Sequence, residues 1–146
     1  MENNQEMNVL DEVNKGATMG MDAINYIMPK VKDGEFKNTL NVEYNKYKDI
    51  SRRANNLYDN YTTNKEPHKT NAMNKMMTWY GVQMNTIEDK SNSKISELLM
   101  QGTNMGIIEG RRLLNHNQNI EKDIKLLLDD FVRMQEDSVE KLKTYL

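Results

Sequence analysis

The sequence predicts an all-α fold made of long amphipathic helices. Three observations carry that reading. Apolar residues recur every three to four positions along most of the chain, the rhythm of about 100° per residue that defines a helix face. No stretch alternates apolar and polar residues as a half-buried strand does. The two prolines, Pro29 and Pro67, stand at or between the ends of the periodic stretches rather than inside them. The 146 residues suffice for a single domain, 1–146, with a core of its own.

The first helix is expected over 8–32, where Leu10, Val13, Ala17, Met21, Ile24, Met28 and Val31 share one narrow face. Pro29 lacks an amide hydrogen, so the last turn should bend or loosen. Asp33-Gly34 then breaks the chain. The second helix is expected over 35–62, with Phe36, Leu40, Tyr44, Tyr47, Ile50, Ala54, Leu57 and Tyr61 on its stripe. The polar run 62–71, with Pro67 at its centre, reads as a loop.

The next periodic stretch, 72–115, would be roughly 65 Å long as one rod, against about 40 Å for each of the first two helices. That mismatch favours a break at "DKSNSK", 89–94, whose serines and asparagine are good caps and poor helix interiors. A linking helix is therefore expected over 71–89, with Met73, Met76, Met77, Tyr80, Met84 and Ile87 inward. The third long helix follows over 93–115, with Ile95, Leu98, Leu99, Gly102, Met105, Gly106 and Leu113 inward. After a polar turn the fourth spans 118–145, burying Ile120, Ile124, Leu127, Phe131, Met134, Leu142 and Tyr145.

Composition argues against several activities. Net charge is −2 and the isoelectric point is near 5.7, with lysines and acids interspersed. No basic stripe exists to neutralise a phosphate backbone, so nucleic-acid binding is not expected. The chain has no cysteine, which removes disulfides, thiolate ligands and cysteine nucleophiles and is compatible with a cytoplasmic setting. No apolar run approaches the ~20 residues that span a bilayer. The glycine-containing "GTNMGIIEG" lacks both a preceding strand and a following Lys-Ser/Thr, so it is no phosphate loop. No serine has a companion His/Asp set for nucleophilic catalysis. The mean hydropathy of −0.87 is low, yet the periodicity speaks for a folded chain.

Glycines are the unusual feature. Gly102, Gly106 and Gly110 recur at four-residue spacing in the third helix, and Gly16 and Gly20 do so in the first. Each weakens a helix interior by about 1 kcal/mol relative to alanine, so a packing reason is expected. The favoured arrangement sets the two glycine ridges against each other, since small residues let backbones approach closely. The alternative is that the glycines leave room for Tyr or Met side chains from a neighbouring helix.

The order of two long helices, a linking helix and two more long helices resembles the ferritin-like fold, with the linking helix in place of the long crossover. Trp79 in the linking helix, the polar break "DKSNSK", the stretch "ISELLMQGTNMGIIEGRRLLN" and the amphipathic terminal helix resemble an uncharacterised bacterial ferritin-like family of unknown function. The resemblance implies an antiparallel four-helix bundle and directs attention to a layer midway along it. Residue counting from the turns places Glu43, Thr103, Gln135, Ser138 and the stretch 21–24 at that depth. Ferritin-like di-iron proteins set a Glu on each of two helices and Glu-x-x-His on the other two. Here the corresponding positions read Glu43-x-x-Lys46 and Gln135-x-x-Ser138, and both histidines, His68 and His116, fall in loops. One carboxylate beside an ammonium does not hold two hard cations. No cofactor or metal is therefore expected, with Glu43 and Glu109 as the only candidates for a degenerate site, since both fall on apolar faces. Glu109 could pair with Arg112 one turn on or with Arg53 across the bundle.

The methionines of the linking helix fit core packing or an adaptable contact surface. Trp79 and Val82 point away from its main stripe, so Met73, Met76, Met77, Trp79 and Val82 form the expected interface. The functional expectation is a non-catalytic bundle acting through protein contact or self-association; a ferritin-like metal or oxidoreductase role around Glu43 and Glu109 is the alternative.

Overall fold

A computed structural model describes residues 2–61, 78–79, 81–83 and 86–146. Helix α1 runs Glu2–Ile27, α2 Gly34–Tyr58, α3 Asn92–His116 and α4 Lys122–Lys143; a short 3-10 turn, Met28–Lys30, follows α1. All regular structure among the described residues is helical.

Local chemistry sets the boundaries. The α-helical pattern of α1 gives way to 3-10 geometry at Pro29, as a missing amide hydrogen demands. Asp33 caps α2, its Oδ1 accepting from the Phe36 N–H at 3.0 Å, and that hydrogen bond holds its carboxyl below the usual carboxylate range. Ser91 caps α3 by accepting from the Lys94 N–H at 3.2 Å. Residues 87–91 are not helical, so the rod over 72–115 is interrupted close to "DKSNSK". Thr78, Trp79, 81–83 and Thr86 are helical, in the expected linking helix; Met73, Met76, Met77 and the Pro67 loop lie outside the described residues.

Four boundaries of the long helices differ from expectation by more than two residues, one of them the end of α1, at Ile27 rather than at 32. α1 starts at Glu2 rather than at 8, because Glu6 continues the buried face that Leu10 and Val13 extend. α2 ends at Tyr58, and 59–61 form a turn. α4 starts at Lys122 and not at 118, leaving Ile120 buried in the preceding turn.

Side-chain pairings give the helix directions. Asn14 accepts from Ser51 at 2.6 Å and Gly20 lies against Tyr47, so α1 and α2 are antiparallel. Arg111 pairs with Glu136 at 2.7 Å and Ser96 donates to the Leu142 carbonyl, so α3 and α4 are antiparallel. Thr39 meets Tyr145 at 2.8 Å and Arg53 meets Asp130 at 2.9 Å, which makes α2 antiparallel to α4. α1 and α4 run parallel, for Glu6 reaches the Glu121 N–H and Gly16 faces Phe131. It follows that α2 and α3 are parallel, and the connection between them returns the chain to the end where α2 began. Asn92 at the start of α3 donates to Asp33 at the start of α2, at 3.3 Å.

One hydrophobic core draws on all four helices, centred on Val13, Phe36, Leu40, Ile95, Ile124 and Leu127. Full burial of each large side chain contributes about 1.5–3 kcal/mol. Phe36 also stacks on Tyr145 at 4.2 Å between ring centres. Trp79 is half-buried and packs against this core, and Val82 is 53 % exposed. Met134 and Tyr145 sit at the edge of the interior, while Gln135 occupies its middle.

Four of the glycines receive side chains from neighbouring helices, and of these only the one at Gly20 is of a type expected from sequence, tyrosine. A Cβ on Gly16 would stand 2.7 Å from the Phe131 ring, on Gly20 2.6 Å from the Tyr47 ring, and on Gly110 2.5 Å from Val132. On Gly106 it would overlap the Gln135 amide oxygen. These four are sockets for side chains of α2 and α4, and no ridge-to-ridge contact between α1 and α3 is seen at them.

Candidate functional site: a polar cavity between the four helices

Midway along the bundle the core stops being apolar. Glu43 and Tyr47 from α2, Thr103 from α3, and Gln135 and Ser138 from α4 line a partly open cavity of about 50 Å³, together with Leu40, Leu99, Leu142, Ile24 and Ala23. Gly16, Gly20, Gly102 and Gly106 complete its wall. Counting from the turns placed Glu43, Thr103, Gln135, Ser138 and the stretch 21–24 at one depth; the structure brings these together except that, of the stretch, only Ala23 and Ile24 line the cavity and Met21 and Asp22 do not.

Placement follows from helix geometry. Glu43 and Tyr47 are four apart on α2 and share a face with Leu40 and Ile50. Gln135 and Ser138 are three apart on α4, between Phe131 and Leu142. Only Thr103 serves on α3, where its hydroxyl donates to the Leu99 carbonyl at 2.7 Å. The Gln135 amide donates to the Phe131 carbonyl at 3.4 Å, which turns its oxygen toward Gly106.

Glu43 is the one carboxylate on this wall among the described residues and is only 2 % exposed. Its Oε1 meets Lys46 Nζ at 3.4 Å, a long contact to a side chain that remains half in solvent. Its Oε2 is buried without a hydrogen-bond partner. Buried polar atoms are nearly always paired, and an unpaired carboxylate oxygen costs more than a neutral one. Tyr47 is pushed up to about 12 by burial, opposed by a hydrogen bond with Thr103 and reinforced by the Glu43 charge. Unfolded tyrosine ionises near 10, so the neutral phenol adds stability that is present below pH 10 and lost as pH rises through about 12. Spectrophotometric titration should show one phenol ionising well after the exposed tyrosines, and Tyr47→Phe should remove that component. A single step near pH 10 for all phenols would contradict the placement.

The structure separates the two candidate acids. Glu109 is not inward: its side chain is 61 % exposed and pairs with Arg112 at 2.6 Å, while Arg53 pairs with Asp130 instead. The apolar face of α3 is rotated from expectation because Gly106 and Gly110 lie on the seam with α4, which carries Glu109 outward. His116 is exposed at the end of α3, and His68 lies outside the described residues. Among the described residues no three His, Cys, Asp or Glu side chains gather closely enough to hold a metal ion.

Other buried polar groups escaped the sequence reading. Glu6, Asp11 and Lys15 are all buried on α1. Glu6 Oε1 accepts from the Glu121 N–H at 3.3 Å, and its Oε2 is a second buried oxygen without a partner. Their spacing was the available signal: Glu6 stands four residues before Leu10, on the same face.

Among the described residues no helix is long and apolar enough to cross a membrane. Comparison of the chain with protein-family models, with curated proteins and with solved structures returns no match.

Proposed function

We propose that this chain is a non-catalytic helical bundle of ferritin-like architecture that works through contact with other protein chains, in the first place with copies of itself. The observation that carries this reading is the make-up of the central layer. A bundle that does redox or hydrolytic work at two metals needs several carboxylates and imidazoles there. This layer has one carboxylate among a phenol, two hydroxyls and an amide. Parallel α2 and α3, joined by a long return connection, support the ferritin-like part of the reading.

With chemistry in the interior disfavoured, function falls to the surface. Val82, 53 % exposed in the connection between α2 and α3, belongs to the segment proposed as the contact face. Sedimentation velocity on the full chain at micromolar concentration tests this. The expected species is heavier than the 17.1 kDa monomer, and Val82→Asp shifts it toward monomer. A monomer at every concentration, with no partner recovered, overturns the proposal.

A further inference from the structure

The central cavity is unlike the rest of the core in one chemical respect. Its wall, apolar for the most part, carries five oxygen-bearing side chains, and one of them, the Glu43 carboxylate, has an oxygen left unpartnered. We propose that this cavity binds one small monovalent cation, an alkali-metal ion or ammonium, with Glu43 as its charged ligand.

Four observations converge. Glu43 Oε2 is buried with no hydrogen-bond partner, and Lys46 serves only the other oxygen, from the edge of the bundle. Tyr47, Thr103, Gln135 and Ser138 add neutral oxygens on the same wall, all on buried residues. Oxygen donors select hard cations, whereas soft transition metals prefer imidazole and thiolate. A single carboxylate matches a single positive charge; calcium sites use several acidic ligands and magnesium keeps much of its water. A cavity of about 50 Å³ limits the guest to an ion with a few waters, since one water needs roughly 10–15 Å³ by this measure. Drug-sized ligands occupy about 300 Å³ or more. This inference stands on the cavity alone and does not depend on self-association.

The test is thermal unfolding of the full chain in sodium, potassium, ammonium and choline chlorides at equal ionic strength. Choline is too large for the cavity and serves as the reference. A ligand that binds only the folded chain raises stability logarithmically with its concentration. The midpoint should therefore climb by about 3–5 °C for each tenfold rise in at least one small cation, once the site is filling. Glu43→Gln abolishes the climb, and Glu6→Gln, which alters the other unpartnered carboxylate near the α3–α4 turn, leaves it in place. Equal midpoints in all four salts, or a climb that survives Glu43→Gln, would mean that the cavity holds ordered water only and would overturn the proposal. Should Glu43→Gln fail to fold, Ser138→Ala decides, since it removes one neutral oxygen and keeps the charge: a weakened climb supports the site and an unaltered one overturns it.

Discussion

Gly20→Leu lowers the thermal midpoint by about 4–8 °C or more. Gly20 faces the Tyr47 ring so closely that an added Cβ would lie 2.6 Å from two ring atoms. Tyr47 is 5 % exposed and flanked by Leu40, Glu43 and Ile50 on its own helix, so the ring can give way only into the small central cavity. Overpacking a rigid core costs typically 1–3 kcal/mol and occasionally more. A leucine adds three further carbons in the same direction, which places the expected loss at about 3 kcal/mol or above. The roughly 1 kcal/mol that any residue gains over glycine in helix propensity offsets part of it. Net of that offset about 2 kcal/mol or above remains, and at 2–4 °C per kcal/mol for a chain near this size the midpoint falls by about 4–8 °C or more. Gly34→Ala is the control, for a Cβ there meets nothing within 4 Å and the effect should stay within about 1 kcal/mol. A Gly20→Leu midpoint within 2 °C or so of the parent would show that α1 and α2 are not in this register.

Those sockets also mark where the sequence could and could not be read. Helix number, the capping residues Asp33 and Ser91, and the break near 89–94 were legible because periodicity, caps and breakers act locally. The depth of the central layer was legible too, because helices rise by a fixed length per residue. The partner of each glycine was not, since a missing side chain says only that something fits there. Phe131 and Tyr47 fill the sockets at Gly16 and Gly20, and that is tertiary information. Glycine also carries little hydropathy. The stripe drawn on α3 took in Gly106 but left out Gly110, and it drew Glu109 inward. Buried Glu6, Asp11 and Lys15 were invisible for the opposite reason: hydropathy assigns charged residues to solvent, and only their hydrogen-bonding neighbours justify their position.

Glu43→Met raises the stability of the chain when no small cation is present. In choline buffer Glu43 presents an unpaired, buried oxygen, and its contact with Lys46 is long and formed with a half-exposed partner. Desolvation of such a carboxylate exceeds what a distant ammonium returns, and replacing buried ionic groups by apolar residues of like volume often stabilises by about 1–4 kcal/mol. Methionine is close to glutamate in length, flexible enough to follow an irregular wall, and able to fill part of the cavity without overpacking it. Lys46, released, turns into solvent at little cost because its side chain is already 41 % exposed. A gain of about 2 kcal/mol in urea unfolding, read from the midpoint at an unchanged slope, is the expected result. Such a gain means that glutamate is kept at this position against the interest of the fold, as an acid that serves an occupant would be. Destabilisation by 2 kcal/mol or so would mean the reverse: the carboxylate would be an integral part of the polar network that joins α2, α3 and α4.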